Sequence, residues 1–335
     1  MGAWKFFKYF CDPDVAIDLG TANTRLYVLD RGLVAEEPTR VSAGGGSWFD
    51  ARAEHDAAPL KGGVVNDIDA TARLLGRLLQ RIHRLGLIKP RALVCAPSDA
   101  SREERFKLVE AVRRTGISKV QVLPEPLASA VGAGIDITLP YGQMLVDIGD
   151  GVTDVAVIRS RKLILTRAVR LAVSDLRWAL QRMVKEQKNL FLPAVEADRL
   201  VREHGALGDA CRRPNMPAVA FDRRAAPTRV ELRCEEVFAA MAPVLGEIVD
   251  TVCRAMADLP TESAVEVAES GVCLCGGGAY LRGIDRLIAR RTSIEVKIIA
   301  DPMRATIAGA GEILAVARQA ELWETGWSSS PGFGE

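Results

Sequence analysis

Two short segments of the chain place an aspartate and glycines directly after an apolar run. Residues 18–24 read DLGTANT and follow the apolar residues 15–17, and residues 147–153 read DIGDGVT and follow residues 144–146. Glycine has no side chain, so backbone N–H groups in such a turn can approach and bind a phosphate. An aspartate at the end of the preceding strand can hold a hydrated Mg²⁺ beside that phosphate. The two segments therefore predict two related half-domains that bind one nucleotide from opposite sides.

A third glycine-rich loop occurs near the C-terminal end. Residues 272–275 (VCLC) are predicted to form a short strand, and Gly276, Gly277 and Gly278 follow it before a helical stretch. A run of glycines at a strand-to-helix turn lets a flat or anionic group lie against bare backbone. Any one of the three loops alone is more often an ordinary turn. Their order and spacing together indicate a nucleotide site.

The elements that must carry these loops alternate between helices and strands. Periodicity predicts helices over residues 67–83, 101–114, 127–134, 174–187, 193–203, 235–256, 281–290 and 305–318. Apolar runs predict strands over residues 92–96, 120–123, 231–234 and 294–299, and a basic hairpin over residues 158–169. Residues 205–228 contain prolines and paired arginines, and we expect them to be exposed and irregular. The alternation predicts an α/β architecture of two duplicated domains around a cleft, with the three loops at the carboxyl ends of the strands.

The composition is that of an ordinary soluble globular protein. Of the 335 residues, 48% are hydrophobic and 26% charged, and the net charge of +1 gives no field that favours nucleic acid. The three histidines form no cluster, so metal ligation or histidine catalysis has little support. The seven cysteines lack metal-site spacing and are predicted to be reduced, as in a cytosolic protein.

The N-terminal ten residues differ from the rest of the chain. In a helix, Trp4 and three phenylalanines would lie on one side, opposite Lys5 and Lys8. Such a face suits a helix that lies in the headgroup layer of a membrane. We therefore predict a membrane-binding segment over residues 1–11; the alternative is an arm packed on the body of the protein. The tail, residues 323–335, is predicted to be disordered.

The three loops, together with EPLASAVGAG at residues 125–134, resemble the bacterial actins of the MreB/Mbl family, within the actin/Hsp70/sugar-kinase superfamily. DLGTANT is identical to the motif of the family, and EPLASAVGAG is close to the family's EPMAAAIGAG. CGGGAYLRGIDRLIA (275–289) and DPMRATIAGAGEIL (301–314) are similar to its adenosine loop and C-terminal helix. The resemblance covers most of the chain. It implies an actin-like two-domain ATPase fold, in which duplicated RNase H-like domains surround a nucleotide cleft.

The resemblance also implies domain bounds. Domain I would comprise residues 12–142 and 304–322, with a reduced outer subdomain at 37–62. Domain II would comprise residues 143–303, with an outer subdomain at about 179–227. The segment 37–62 is shorter than the outer subdomain of the family, which contributes to subunit contacts there.

The resemblance implies roles for individual residues that bind ATP and Mg²⁺. Asp18 and Asp147 would hold Mg²⁺ through water, and Glu125 would polarise the attacking water. The alternative for Glu125 is a charge that favours the N-terminus of a helix. The residues that line the phosphates would be Gly20, Thr21, Ala22, Asn23, Gly149, Asp150, Gly151 and Thr153. Those that contact the nucleoside would be Gly276, Gly277 and Gly278, with Glu203 at the ribose.

The function that the resemblance implies is a membrane-associated, ATP-binding bacterial actin that forms filaments, organises cell-wall synthesis and affects cell shape. It would be cytoplasmic and peripheral on the inner membrane face, bound through residues 1–10. Its partners would be itself or an MreB-type paralogue and the cell-wall elongation proteins, but no nucleic acid. Val152 lacks the hydroxyl usual in bacterial actins, so ATP hydrolysis would be weak.

Two other functions remain open. The short segment 37–62 is compatible with a non-polymerising, nucleotide-binding paralogue that modulates the filaments or wall-synthesis complexes of a fuller MreB. A sugar kinase or chaperone-type ATPase would share the fold. However, the sequence shows no sugar-kinase constellation in the cleft and has no length for a chaperone's substrate domain.

Overall fold

A computed structural model describes residues 14–40, 58–82, 90–207 and 214–319. The predicted membrane segment, most of the segment 37–62 and the predicted tail lie outside these residues. The chain divides into two compact units, each of which is described by itself. The first takes its residues from Met1–Pro140, Ile158–Thr166 and Met303–Glu335, and the second from Tyr141–Val157 and Arg167–Pro302.

The first unit contains a five-stranded sheet. Its strands are β1 (Val15–Leu19), β2 (Asn23–Val28), β3 (Gly32–Pro38), β6 (Arg91–Ala96) and β7 (Lys119–Pro124), in the order β3-β2-β1-β6-β7. The strands β1 to β3 form an antiparallel meander, and β6 runs parallel to both β1 and β7. A short antiparallel pair, β4 (Leu60–Lys61) and β5 (Val64–Val65), precedes the first described helix.

Both faces of this sheet are covered by helices. Odd-numbered residues of β1 pack against α1 (Ile68–Gln80) and α2 (Arg102–Arg113) in one apolar cluster. The even-numbered Ala16 packs in a second cluster with α3 (Glu125–Gly132) and α9 (Ala305–Gln319). Because successive side chains of a strand point to opposite faces, these clusters lie on opposite sides of the sheet. The buried β1 is therefore apolar at almost every position.

The second unit repeats this plan. Its sheet comprises β8 (Gln143–Ile148), β9 (Thr153–Arg159), β10 (Lys162–Val169), β13 (Val272–Cys275) and β14 (Val296–Ile298), in the order β10-β9-β8-β13-β14, although residues 158–166 of the β9–β10 hairpin are grouped with the first unit. Its helices are α4 (Val173–Lys188), α5 (Ala194–His204), α6 (Cys234–Ala257), α7 (Thr261–Ser270) and α8 (Ile284–Thr292). Strand by strand, this order matches that of the first sheet, with β13 parallel to β8 and β14. The predicted α/β fold with duplicated domains is confirmed.

Three expectations from the sequence are wrong. Part of the region expected to be irregular forms a hairpin of β11 (Asn215–Phe221) and β12 (Pro227–Arg233). The predicted helix over residues 281–290 begins only at Ile284, because a 3₁₀ turn (Gly277–Tyr280) comes first. Cys234 is disulfide-bonded, although Cys95, Cys253, Cys273 and Cys275 are free.

Within the first unit, α3 and α9 pack with their backbones in close contact. A Cβ at Gly132 would overlap the Ala305 carbonyl, and a Cβ at Gly309 would overlap the Ala128 carbonyl. Between the helices, the hydroxyls of Ser129 and Thr306 are 2.8 Å apart in a buried hydrogen bond. Only glycine allows backbones to approach so closely. This contact fixes α3, the helix that begins with Glu125.

Candidate nucleotide site

The two predicted phosphate turns have the same geometry in their respective units. The Gly20 N–H donates to the Asn23 carbonyl at 3.1 Å, and the Gly149 N–H donates to the Val152 carbonyl at 2.9 Å. A Cβ would lie 2.8 Å from that carbonyl oxygen at Gly20 and 2.9 Å from it at Gly149, closer than side chains tolerate. Both turns therefore need glycine at their first position. They close the β1–β2 and β8–β9 connections in the same way.

The first turn is fixed by a threonine that the sequence analysis missed. Thr39 follows β3, and its hydroxyl donates to the Gly20 carbonyl at 2.7 Å. The Thr21 hydroxyl accepts from the Gly63 N–H at 3.0 Å. Ala22 is exposed, while Gly20, Thr21 and Asn23 are half-buried. Hydrogen bonds with Thr39 and Gly63 thus hold the turn, while Ala22 stays exposed to solvent.

The carboxylate of Asp18, just before the first turn, belongs to a chain of ion pairs. Arg25 donates from Nη1 to Asp18 Oδ2 at 2.9 Å and from Nε to Glu36 Oε1 at 2.9 Å. Glu36 Oε2 in turn accepts from Arg304 Nη2 at 2.8 Å. Asp18 and Arg25 are buried, with 4% and 7% of their surface exposed. The sequence analysis assigned no role at this turn to Arg25, Glu36 or Arg304.

The charges of this chain reinforce one another. Burial opposes the charge on Arg25, but the carboxylates of Asp18 and Glu36 outweigh it and raise the pKa of the guanidinium. Burial likewise opposes the charge on Glu36, but hydrogen bonds from Arg304 and Arg25 outweigh it and lower the pKa of that carboxyl. Arg25 and Glu36 are therefore held in their charged forms.

The second turn carries a separate ion pair. Asp150 accepts from Arg177 Nη2 at 2.6 Å, and Arg177 also contacts Asp198 at 3.3 Å. Gly151 and Thr153 are buried, and the Thr153 hydroxyl donates to the Leu171 carbonyl at 2.8 Å. In this conformation the Thr153 hydroxyl is used to hold the turn. Asp147, before the turn, has 6% of its surface exposed.

In the second unit, the triple-glycine loop lies beside Asp147. Cys275, the last residue of β13, pairs in register with Asp147 of β8. A Cβ at Gly276 would overlap the Asp147 carboxylate, and a Cβ at Gly278 would overlap the Ile148 side chain. A Cβ at Gly277, by contrast, would meet no atom of the described residues within 4 Å. The fold itself requires glycine at 276 and 278, whereas Gly277 faces open space.

The two predicted glutamates lie at helix ends. Glu203 is exposed near the end of α5, where it accepts from Arg199 Nη1 at 2.8 Å. Its backbone carbonyl accepts from Arg282, which follows the triple-glycine loop, at 2.5 Å. The structure thus ties the end of α5 to the segment that follows this loop. Glu125, in the first unit, is half-buried at the first position of α3.

Two features are absent from the described residues. They contain no group of three or more histidine, cysteine, aspartate or glutamate side chains placed to hold a metal ion directly. Among the helices so described, none is long and apolar enough to cross a membrane.

Comparisons with known proteins agree with the fold and with the resemblance. The family described as MreB/Mbl protein matches residues 54–322. The cell shape-determining protein MreB of Escherichia coli K12 is 32% identical over 332 residues, covering 92% of this chain and 95% of that protein. The cell shape-determining protein Mbl of Bacillus subtilis is 28% identical, covering 90% of this chain and 95% of that protein.

Solved structures show the same similarity. The crystal structure of MreB5 of Spiroplasma citri bound to ADP has a TM-score of 0.81 at 26% identity, covering 93% of this chain and 99% of that one. A MamK double helical filament, at 18% identity and a TM-score of 0.72, shares the fold. The chain has the actin-like fold and belongs to the MreB/Mbl family of cytoskeletal actin homologues.

Proposed function

We propose that this protein binds ATP and assembles into filaments on the inner face of the cell membrane, where the filaments organise cell-wall synthesis and so affect cell shape. The observation that carries the nucleotide part is the closed glycine turn that both units contain, at Gly20 and at Gly149. Relatives support the rest, because the E. coli and B. subtilis proteins are named as cell shape-determining. MreB5 of S. citri has been solved with ADP and with AMPPNP.

The predicted ligand contacts divide among the three loops. The backbone N–H groups of residues 21–23 and 150–151 bind phosphate oxygens, as glycine-rich turns commonly do. The base lies against Gly277, where the chain leaves open space. Glu203 accepts a hydrogen bond from a ribose hydroxyl. For that contact, its carboxylate must exchange its hydrogen bond from Arg199 for one from the sugar.

Hydrolysis, in this proposal, is slow and depends on Glu125. Its carboxylate accepts a hydrogen bond from a water molecule and orients that water toward the γ-phosphate. Asp147 and Asp18 would hold Mg²⁺ through water, and the ion would supply positive charge to the phosphates. Val152 offers no hydroxyl near the second turn, which removes one donor that could stabilise the charge developing on the phosphate.

Membrane attachment depends on residues 1–10, which lie outside the described residues. Aromatic side chains on one helical face and lysines on the other suit binding to anionic lipid. The alternative function, a non-polymerising paralogue that modulates the filaments of a fuller MreB, is favoured by the short outer segment. Between the end of β3 and the start of α1, the described residues contain only the two-residue strands β4 and β5.

Sedimentation and negative-stain microscopy test this proposal. The full-length protein and a variant lacking residues 1–11 are incubated with ATP, with ADP or without nucleotide, in solution and on liposomes of phosphatidylglycerol and phosphatidylethanolamine. We expect ATP-dependent filaments on the liposomes, and loss of liposome binding in the deletion variant. Single particles on liposomes, whatever the nucleotide, would refute self-assembly and favour the modulator.

A further inference from the structure

We infer that Arg177 is a positioning residue for nucleotide binding, which holds and neutralises the Asp150 carboxylate so that the second turn can accept a negatively charged phosphate. The inference rests on the proposed nucleotide function and concerns the charge at its second turn.

The second turn has an acidic side chain where the first turn has a neutral one. Counting from the matching glycines Gly20 and Gly149, the residue that corresponds to Asp150 is Thr21. The Asp150 N–H is one of the groups proposed to bind a phosphate oxygen, and the carboxylate of the same residue lies within a few ångströms of it. Negative charges at such a distance repel each other strongly where the protein excludes part of the solvent. A phosphate therefore binds well at this turn only if a cation balances Asp150.

Arg177 supplies that cation. Its Nη2 donates to Asp150 Oδ1 at 2.6 Å, and the two side chains are 21% and 16% exposed. Within the described part of the chain, Arg177 is the one cationic side chain that forms an ion pair with this carboxylate. A short, charge-assisted hydrogen bond fixes the direction of the carboxylate and also balances its charge. A phosphate at the turn then meets a neutral pair instead of an anion.

The start of α4 explains why Arg177 reaches this turn. The Val173 N–H, in the first turn of α4, donates to the Gly149 carbonyl at 3.4 Å. The Ser174 N–H donates to the Asp150 carbonyl at 2.9 Å, so the helix begins against the second turn. Side chains of a helix lean toward its N-terminus. Arg177, one helical turn after Val173, therefore extends back to Asp150.

The guanidinium is held from its other side by α5. Arg177 Nη1 donates to Asp198 Oδ1 at 3.3 Å, and Asp198 Oδ2 accepts from Arg202 Nε at 2.7 Å. These four side chains alternate in charge, so together they carry no net charge that would repel a phosphate. Because two carboxylates bind the guanidinium, it stays in place when a phosphate arrives.

Calorimetric titration of ADP into the full-length protein, with excess MgCl₂ throughout, tests the inference. Arg177→Met leaves the charge of Asp150 unbalanced, and we expect it to weaken ADP binding by at least about 10-fold. Adding Asp150→Asn to that variant removes the charge and should return the affinity to within about 3-fold of that of the unmodified protein. A purely structural role for Arg177 predicts no such recovery, because the second substitution restores no contact.

The matched control is Arg182→Met, on the same helix. Arg182 lies 3.9 Å from Glu186 in an ion pair whose side chains are both 67% exposed. This substitution removes the same charge from the protein and should change the ADP affinity by less than about 2-fold. A loss as large as that of Arg177→Met would show that the total charge of the protein governs binding, and it would overturn the inference.

Asp150→Asn alone tests the inference without removing Arg177. The guanidinium then keeps its charge but loses one of its two carboxylates, so ADP should bind more tightly than to the unmodified protein. Equal or weaker binding would overturn the inference. This arm holds even if Arg177→Met does not fold.

The outcomes separate this inference from the proposed function. If Arg177→Met binds ADP within about 3-fold of the unmodified protein, or if Asp150→Asn does not restore its affinity, the role of Arg177 is overturned and nucleotide binding is left intact. Absence of ADP binding by the unmodified protein would overturn both.

Discussion

Substitution of Gly277 separates what the fold needs from what a nucleotide needs. A Cβ at this position would meet no described atom within 4 Å, and the residue is not among the glycines with positive φ. We therefore expect Gly277→Val to change the free energy of unfolding by no more than about 0.5 kcal/mol. The valine side chain would fill the space assigned to the base. The affinity for ADP should fall by at least about 10-fold, or about 1.4 kcal/mol.

The neighbouring glycine provides the matched control. A Cβ at Gly278 would overlap the side chain of Ile148 and lie 3.0 Å from its carbonyl oxygen. Because that side chain is buried, Gly278→Ala should lower the free energy of unfolding by about 1–3 kcal/mol. Gly277→Val should thus lose affinity for ADP at a nearly constant free energy of unfolding, whereas Gly278→Ala should lose free energy of unfolding.

Two measurements on each protein suffice. Urea unfolding without nucleotide gives the midpoint and the slope, and an unchanged slope confirms that only stability has changed. Calorimetric titration with ADP then gives the affinity. If Gly277→Val binds ADP as tightly as the unmodified protein does, the base does not lie at this glycine and the assignment of the triple-glycine loop is refuted.

Three further substitutions and one control substitution test other parts of the account. Glu125→Gln should slow phosphate release by at least about 10²-fold while ADP affinity stays unchanged; a normal rate would leave Glu125 only its helix N-terminal role. Gly309→Ala should lower the free energy of unfolding by about 1–3 kcal/mol, because its Cβ overlaps α3. Gly76→Ala, in α1, is the control. The added Cβ meets no described atom within 4 Å, so this substitution should raise the free energy of unfolding by about 0.5–1 kcal/mol. The pKa of Glu36 is lowered in the folded state, so its stabilising effect is complete above the ordinary value of 4.5 and is lost as the pH falls through the folded value. Unfolding of Glu36→Gln between neutral and acidic pH should therefore show a shallower loss of stability than the unmodified protein, and equal slopes would contradict this linkage.

The turns could be predicted from the sequence because their requirement is local. Each is closed by one hydrogen bond between residues three apart, and the glycine that permits it stands within the same short segment. The α/β architecture also followed from local patterns, since buried strands and helices alternate in both halves. A local constraint of this kind can be recognised from the residue types within one short segment.

The strand β11 was missed because its pattern is interrupted, whereas the end of β12 was predicted as a strand at residues 231–234. Met216, Ala218 and Ala220 are buried and alternate with exposed neighbours, as a half-buried strand requires. Pro217, within β11, and the small alanines disguise that alternation, because proline is uncommon inside strands except at sheet edges. In the structure, the hairpin is a two-stranded sheet in which both strands have an outer edge.

The ion-pair chain at the first turn could not have been predicted from the sequence. Glu36 and Arg304 are 268 residues apart in the chain, and an arginine and a glutamate are common surface residues. Arg25 reads as one polar position in a strand, and only the strand register places it opposite Asp18. Charge networks depend on which distant residues the fold brings together, and a single sequence does not encode that pairing in any local motif.

The central claim is that this actin homologue binds a nucleotide through its two glycine turns and its triple-glycine loop. A crystal structure of the full-length protein grown with ADP tests that claim most directly. We predict phosphate oxygens within hydrogen-bonding distance of the backbone at Gly20–Asn23 and Gly149–Gly151, and the adenine ring against Gly277. ADP bound at other residues would contradict the account, as would crystals that contain none despite saturating concentrations.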